Sequence, residues 1–306
     1  MTKAFSDYQA TDFQNDLAQT AKSVESTLAS LLTIAHGNER ENQVIEAMRQ
    51  GALAGGKRLR PALTVGAARL FGVELDNVLI TASAIEMLHS YSLVHDDLPA
   101  MDDSPLRRGK PTVHVLYDEA TAVLAGDGLL TKAFEVLSAE ATHPDPLVRC
   151  QLVTGLAKAA GERGMIGGQM LDMIAEETDL SEVEIVRLQQ KKTGALIAFS
   201  CEAGGICAGA GEREMASLKI YGANIGLAFQ IVDDLLDLES TAETLGKPAG
   251  RDKEAGKLTL IDIYGLDAAR AKAQMLVKEA QDAITWAGEK AGFLHRLAEF
   301  VLHRSY

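Results

Sequence analysis

The stretch Ile80–Asp103, ITASAIEMLHSYSLVHDDLPAMDD, decides the fold. Its apolar residues Ile80, Ala84, Met87, Tyr91 and Val94 step by four, three, four and three, which draws one buried stripe along a helix of about 20 residues. The stripe runs directly into His95-Asp96-Asp97-Leu98-Pro99-Ala100-Met101-Asp102-Asp103. Pro99 lacks an N–H and clashes with the preceding turn, so the helix kinks or ends near Leu98, and Asp102 can rejoin the side of Asp96 only through an irregular turn. Carboxylates gathered at a helix C-terminus oppose the macrodipole and repel one another. A compensating cationic ligand is expected there, although a solvated acidic helix end is the ordinary fate of such a charge run.

Further along, Tyr221, Ile225, Ala228, Val232 and Leu235 repeat the same stepping, and the helix closes on Asp233-Asp234-Leu235-Leu236-Asp237. Asp233 and Asp237 lie four apart and Asp234 and Asp237 three apart, so these carboxylates share one helix face. Hard oxygen donors without a Cys or His set favour Mg²⁺, which keeps several waters and takes one or two carboxylates plus substrate phosphates. Helical spacing predicts further helices at about 15–34, 41–54, 61–71, 116–139, 147–160, 182–209, 267–288 and 291–303, and no stretch sustains the alternation of a half-buried strand. Gly55-Gly56, Ser104–Pro111, Gly167-Gly168 and Leu245–Lys257 read as punctuation between helices. The expected fold is all-α, a bundle of about ten or more helices around a cavity, with residues 1–306 as one domain because no Ser/Gly/Pro-rich linker divides them.

Composition narrows the function classes. With 43 Asp and Glu against 30 Lys and Arg the net charge is −13, which argues against a basic nucleic-acid binder. Hydrophobic residues make up 47% and aromatics only 5%, an aliphatic balance suited to packed helices. Cys150, Cys201 and Cys207 form neither an even disulfide framework nor a CxxC pair. The N-terminal residues show no export or transit pattern, and the apolar run Leu196–Gly211 falls short of a membrane span, so a cytoplasmic protein is expected.

Basic residues accompany the two acidic clusters: Lys57, Arg58 and Arg60 in GGKRLRP, Arg107, Arg108 and Lys110 in LRRGKP, Lys192, and Lys247 and Lys257 in LGKPAGRDKEAGK. Any one segment alone could be a helix cap with solvated charges. Together, nine cations against seven clustered carboxylates describe a diphosphate site, with Arg gripping phosphate oxygens in pairs and Lys acting as a point charge.

In order along the chain, GGKRLRP, HSYSLVHDDLPAMDD, RRGKPTVH, LAGDGLL, GGQMLD, KKTGAL, FQIVDDLLD and LGKPAGRDKEAGKLT resemble the trans-polyprenyl diphosphate synthase family over about two thirds of the sequence. The pair Pro99-Ala100 inside the first motif is similar to bacterial-type farnesyl diphosphate synthases and some geranylgeranyl synthases. The resemblance implies an isoprenoid synthase fold, a homodimer, and about three Mg²⁺ ions held by Asp96, Asp97, Asp102, Asp233 and Asp237, with Asp234 in the same cluster. It implies that Arg107, Lys192 and Lys257, with Lys247 nearby, hold the allylic diphosphate, and that Lys57, Arg60, His89 and Arg108 hold isopentenyl diphosphate. Gln230 and the carbonyl of Thr193 would direct dipoles toward the allylic cation. Tyr91, with Ser92 beside it, would form the floor that stops the product at fifteen carbons; geranyl or geranylgeranyl diphosphate is the alternative product. Ser104 and Pro105 depart from the acidic or Asn residues usual in the family, which bears on the loop that delivers Arg107 and Arg108.

Three rivals remain. A class I terpene cyclase shares the first motif but pairs it with an Asn/Ser/Glu-type second motif and has no use for GGKRLRP. An HD-type phosphohydrolase, suggested by His95-Asp96, needs more upstream histidines than His89. A non-catalytic partner subunit has no use for two intact Asp motifs.

Overall fold

The computed structural model describes residues 10–34, 39–175, 180–239 and 259–304. Helices α1 (Ala10–Leu31), α2 (Glu39–Ala52), α3 (Leu59–Arg69) and α4 (Leu79–Asp96) are followed by a two-stranded hairpin, Leu106–Arg107 and Lys110–Pro111. Then come α5 (Val113–Leu116), α6 (Glu119–Ser138), α7 (Pro146–Ala160), α8 (Met165–Ile174), α9 (Glu182–Gln189), a π-helical turn (Gln190–Gly194), α10 (Ala195–Cys207) and α11 (Glu212–Glu239). The described chain ends with α12 (Leu260–Tyr264), α13 (Leu266–Ala283) and α14 (Gly292–His303). Several starts carry their own capping chemistry: Asp118 accepts from the Thr121 amide, and Asp145, followed by Pro146 in the first turn, accepts from the Leu147 amide.

Two apolar clusters fill the bundle. One joins α1, α2, α4, α6 and α7; the other joins α11, α13 and α14. Helices α3 and α10 contribute to both: Leu196, Phe199 and Ala203 face the first, while Ile197 and Cys201 face the second. That double duty explains why α10 is apolar all round. A Cβ at Gly204 would lie 2.3 Å from the Thr64 carbonyl oxygen, so α10 and α3 meet backbone to backbone. By length and composition Glu212–Leu238 is apolar enough to cross a membrane, yet it is here the helix whose Leu218, Tyr221, Ile225 and Ile231 are fully buried in the second cluster.

The stepping expected for α4 and α11 is present, and α4 ends at Asp96, two residues before Leu98. The helix expected over about 182–209 is helical from Glu182 to Cys207, but at Gln190–Gly194 its ladder widens to i→i+5 in a π turn. One expectation needs correction. Gly167-Gly168, read as punctuation, lies inside α8. The glycine serves close approach there: a Cβ at Gly168 would meet the Lys192 amide nitrogen at 2.1 Å, so α8 and the π turn are in backbone contact.

Candidate active site

The first acidic cluster is built by the backbone. At the C-terminus of α4 the orphan carbonyls find partners in the loop that follows: the Asp102 amide donates to the Asp96 carbonyl (2.9 Å) and the Ser104 amide to the Asp97 carbonyl (3.2 Å). Asp103, at φ 46°, makes the turn in the left-handed region. The loop around Pro99 therefore folds back, and Asp102 returns beside Asp96 through an irregular turn.

Ser104 and Pro105 shape what comes next. The Thr112 hydroxyl donates to the Ser104 carbonyl (2.9 Å) and its amide donates to the Pro105 carbonyl (3.1 Å). The hairpin pairs Leu106 with Pro111 and Arg107 with Lys110, leaving Arg108 and Gly109, at φ 53° and 72°, as a two-residue turn of the type that matches strand twist. Across this frame Arg107 Nε donates to both oxygens of Asp97 (2.8 and 2.9 Å), and its Nη2 lies 2.7 Å from Asp97 Oδ1. Burial alone would lower the Arg107 pKa, but Asp97, Asp96 and Asp102 more than reverse it and raise it. Arg108 donates to the Gly55 carbonyl, and its guanidinium lies where a Cβ at Gly56 would sit.

Asp96 is pushed up from 3.8 to about 6 by burial, with Asp102 and Asp97 adding to the rise and Lys192 and Arg107 opposing it. Lys192, on the π turn, pairs with Asp172 of α8 at 2.6 Å. On α11, Asp233 and Asp237 are partly exposed, whereas Asp234 is 5% exposed and accepts from the Leu260 amide (3.2 Å) and from Gln230 Nε2 (3.4 Å). Gly226, one turn before Gln230 on the same face, touches Gly194, which follows Thr193. Tyr91 is 6% exposed and meets His95 edge-on at 5.6 Å; burial first, then Asp96, push its pKa up to about 12. Ser92 donates to the His89 carbonyl.

A cavity of about 480 Å³ opens beside the GGKRLRP segment, lined by Lys57, Arg60, His89, Arg108, Arg304 and Glu86 among others. Burial lowers Arg60 to about 10, with Arg108 adding to the fall and Glu86 and Asp233 opposing it. His89 falls well below its ordinary value through burial and then the charges of Arg60 and Arg108, so it stands there as a neutral imidazole. Arg60 Nε is buried and has no hydrogen-bond partner among the described residues. A buried, partnerless donor in a cation-lined cavity calls for an anion.

The four residues expected around isopentenyl diphosphate thus line one cavity, and Asp96, Asp97, Asp102, Arg107 and Lys192 form one electrostatic group. Arg58, counted from its sequence with the site cations, is instead 3% exposed and bound to Glu86 at 2.7 Å. Lys247 and Lys257 lie outside the described residues. Sequence reasoning missed Asp172, Glu86 and Arg304. Reading Gly167-Gly168 as a break hid the helix that carries Asp172. Glu86, flanked by Ile85 and Met87 on α4, gave no charge-cluster signal.

The donors present suit Mg²⁺. Among the described residues no three His, Cys, Asp or Glu side chains form a ready cage. The burial that lifts Asp96, with Asp102 and Asp97 adding to it, leaves carboxylate oxygens in need of positive charge, and Mg²⁺ completes such a shell with waters and phosphate oxygens.

This architecture is the isoprenoid synthase fold, with two acidic helix ends and a cationic cavity. A model of the polyprenyl synthetase family matches residues 41–289, and the chain belongs to that family. It is 41% identical over 299 residues to the farnesyl diphosphate synthase of Escherichia coli (strain K12), covering 96% of this chain and 99% of that one. The solved apo structure of an FPP/GFPP synthase from Zymomonas mobilis superposes with a TM-score of 0.88 at 42% identity, covering 96% of this chain and 100% of that one. A geranyltransferase from Helicobacter pylori, solved with magnesium and isoprenyl diphosphate, gives 0.83 at 33% identity, over 96% and 98% of the two chains.

The raised Asp96 has a measurable consequence. A carboxyl whose folded-state pKa exceeds its unfolded value favours folding as pH falls through the folded value and opposes it above. In metal-free protein Asp96→Asn is expected to raise Tm at about pH 8, by a stabilisation of up to about 3 kcal/mol, and to change little near pH 4. Thermal melts across that range check it; a lower Tm at the alkaline end would mean that Lys192 and Arg107 outweigh burial.

Proposed function

We propose that this protein is a Mg²⁺-dependent prenyltransferase that condenses isopentenyl diphosphate with dimethylallyl or geranyl diphosphate to give (2E,6E)-farnesyl diphosphate. The observation that carries the reading is the cavity of Lys57, Arg60, His89 and Arg108 beside two acidic clusters: a second anion site is what a chain-elongating enzyme needs and a terpene cyclase does not. Residues 1–306 act as one catalytic domain, in the cytoplasm.

Mg²⁺, about three ions per site, supplies charge that stabilises the departing diphosphate. Asp96, Asp102, Asp233 and Asp237 hold it, and Asp97 and Asp234 act from behind, fixing Arg107 and the start of α12. Arg107 and Lys192, joined by Lys247 and Lys257, place cations against the allylic diphosphate, so that the C–O bond to the allylic carbon can break. Lys57, Arg60 and Arg108 bind the diphosphate of isopentenyl diphosphate, and His89 donates a hydrogen bond to it. The alkene then forms the new C–C bond, and the released diphosphate takes the proton lost from the adjacent carbon. Gln230 and the Thr193 carbonyl turn their dipoles toward the positive carbon. Tyr91, with Ser92 beside it, is the floor against which the growing chain stops.

A homodimer is part of the proposal. Val115, Leu116, Val123 and Leu124, on the adjoining α5 and α6, are 51%, 48%, 41% and 58% exposed, an apolar surface suited to a second copy.

Incubation with Mg²⁺, isopentenyl diphosphate and geranyl diphosphate is expected to yield farnesyl diphosphate; cyclic hydrocarbon, or no elongation, would sink the reading. Asp96→Ala and Asp233→Ala should each lower turnover by roughly 10²–10⁴-fold in folded protein, and wild-type rates in both would remove the metal assignment. Tyr91→Ala should lengthen the product, measured by chromatography of the dephosphorylated alcohols. Leu124→Glu should halve the mass seen by sedimentation; an unchanged mass would remove this surface from the proposal.

A further inference from the structure

Just past α14 the backbone becomes extended at Arg304, and its side chain turns back into the protein, where it is 6% exposed. Arg304 Nη2 donates to Asp233 Oδ1 (2.5 Å) and to the Phe229 carbonyl (2.8 Å). Its guanidinium carbon lies 3.5 Å from the centre of the Phe229 ring. The same residue lines the cavity that holds Lys57, Arg60, His89 and Arg108. One cation therefore belongs to two places of opposite character, as partner of the first carboxylate of DDLLD and as part of the wall of an anion site.

These attachments compete. A divalent cation on Asp233 would take the carboxylate oxygen that Arg304 now uses and repel the guanidinium beside it. An anion in the cavity would offer Arg304 other oxygens, in the paired geometry a guanidinium prefers. Both events push the same way, from Asp233 toward the cavity. The Phe229 face can keep its cation–π contact during the exchange, so only the end of the side chain has to turn.

We infer that Arg304 is a diphosphate-binding residue held in reserve by Asp233, so that the charge on Asp233 controls how tightly the Lys57–Arg60–Arg108 cavity binds its diphosphate. This rests on the reading of that cavity as the isopentenyl diphosphate site. Because coupling free energies are reciprocal, a diphosphate in the cavity also loosens Arg304 from Asp233 and readies that carboxylate for a cation.

The test is a double-mutant cycle on the full chain without metal, with isopentenyl diphosphate titrated by calorimetry in the presence of a chelator. Asp233→Asn, which releases Arg304, should bind about fivefold or more tighter than wild type, and Arg304→Met about tenfold weaker. In the Arg304→Met background Asp233→Asn should bring almost no gain. A plain loss of negative charge would instead tighten binding by the same factor in both backgrounds, and that additive result overturns the inference while leaving the cavity's assignment intact. Absence of any binding to wild type would overturn both. Thermal melting confirms that each variant is folded, and Arg304→Gln replaces Arg304→Met in the cycle if the latter is not.

Discussion

Arg58 and Glu86 form an ion pair at 2.7 Å with both side chains almost wholly out of water, and the arrangement of the site depends on it. Arg58 sits at φ 47°, a left-handed conformation that costs a non-glycine residue about 1 kcal/mol or more. It is held there because its guanidinium also donates to the Ala52 carbonyl at the end of α2. The pair thus ties the segment between α2 and α3 to the middle of α4. Removing one partner of such a pair leaves the other charged and buried, typically costing about 3–5 kcal/mol. Lys57 and Arg60 flank the pinned residue, and Gly56, at φ 124°, leaves the space in which Arg108 lies. Glu86 has a second effect: its negative charge opposes the fall in pKa of Arg60 and Arg108 and helps to keep them cationic inside the protein.

A common division of labour governs the two acidic clusters. In each, the middle carboxylate is turned inward, Asp97 at 4% and Asp234 at 5% exposure. Asp97 is consumed by Arg107, and Asp234 by the first amide of α12 and by Gln230. Of the outer carboxylates, Asp96, Asp233 and Asp237 are partly exposed and Asp102 is exposed. Each cluster therefore anchors its own surroundings with one charge and presents the others, which is how so many like charges can be gathered without unfolding the helix ends that carry them.

Much of this was legible in the sequence. The four-three stepping that places Tyr91 and Val94 in the core is a direct image of one helix face. Pro99 pointed to the irregular turn through which Asp102 returns to Asp96. The hairpin could not: its strands are two residues each, too short to show alternation, and it exists because Thr112 binds the carbonyls of Ser104 and Pro105. Asp172 and Glu86 were hidden for a related reason. Their partners, Lys192 and Arg58, are 20 and 28 residues away in sequence, and such pairings follow from packing, which single-chain periodicity does not encode. Nothing in the sequence around Arg304 shows that it folds back 71 positions to Asp233.

The π turn at Gln190–Gly194 gives α9 and α10 different angular settings on what would otherwise be one rod. An α-helix advances about 100° per residue, so each residue added to or removed from a helix rotates everything beyond it by that amount. The turn works as a built-in phase shift: Ile185 and Leu188 of α9 and Leu196 and Ile197 of α10 all reach the core, while Lys192 between them reaches Asp172. A sequence that repaired the turn to ideal α-helix would have to surrender one of those three alignments. The imperfect ladder is therefore the geometric condition for burying both helices and still presenting a cation at their junction.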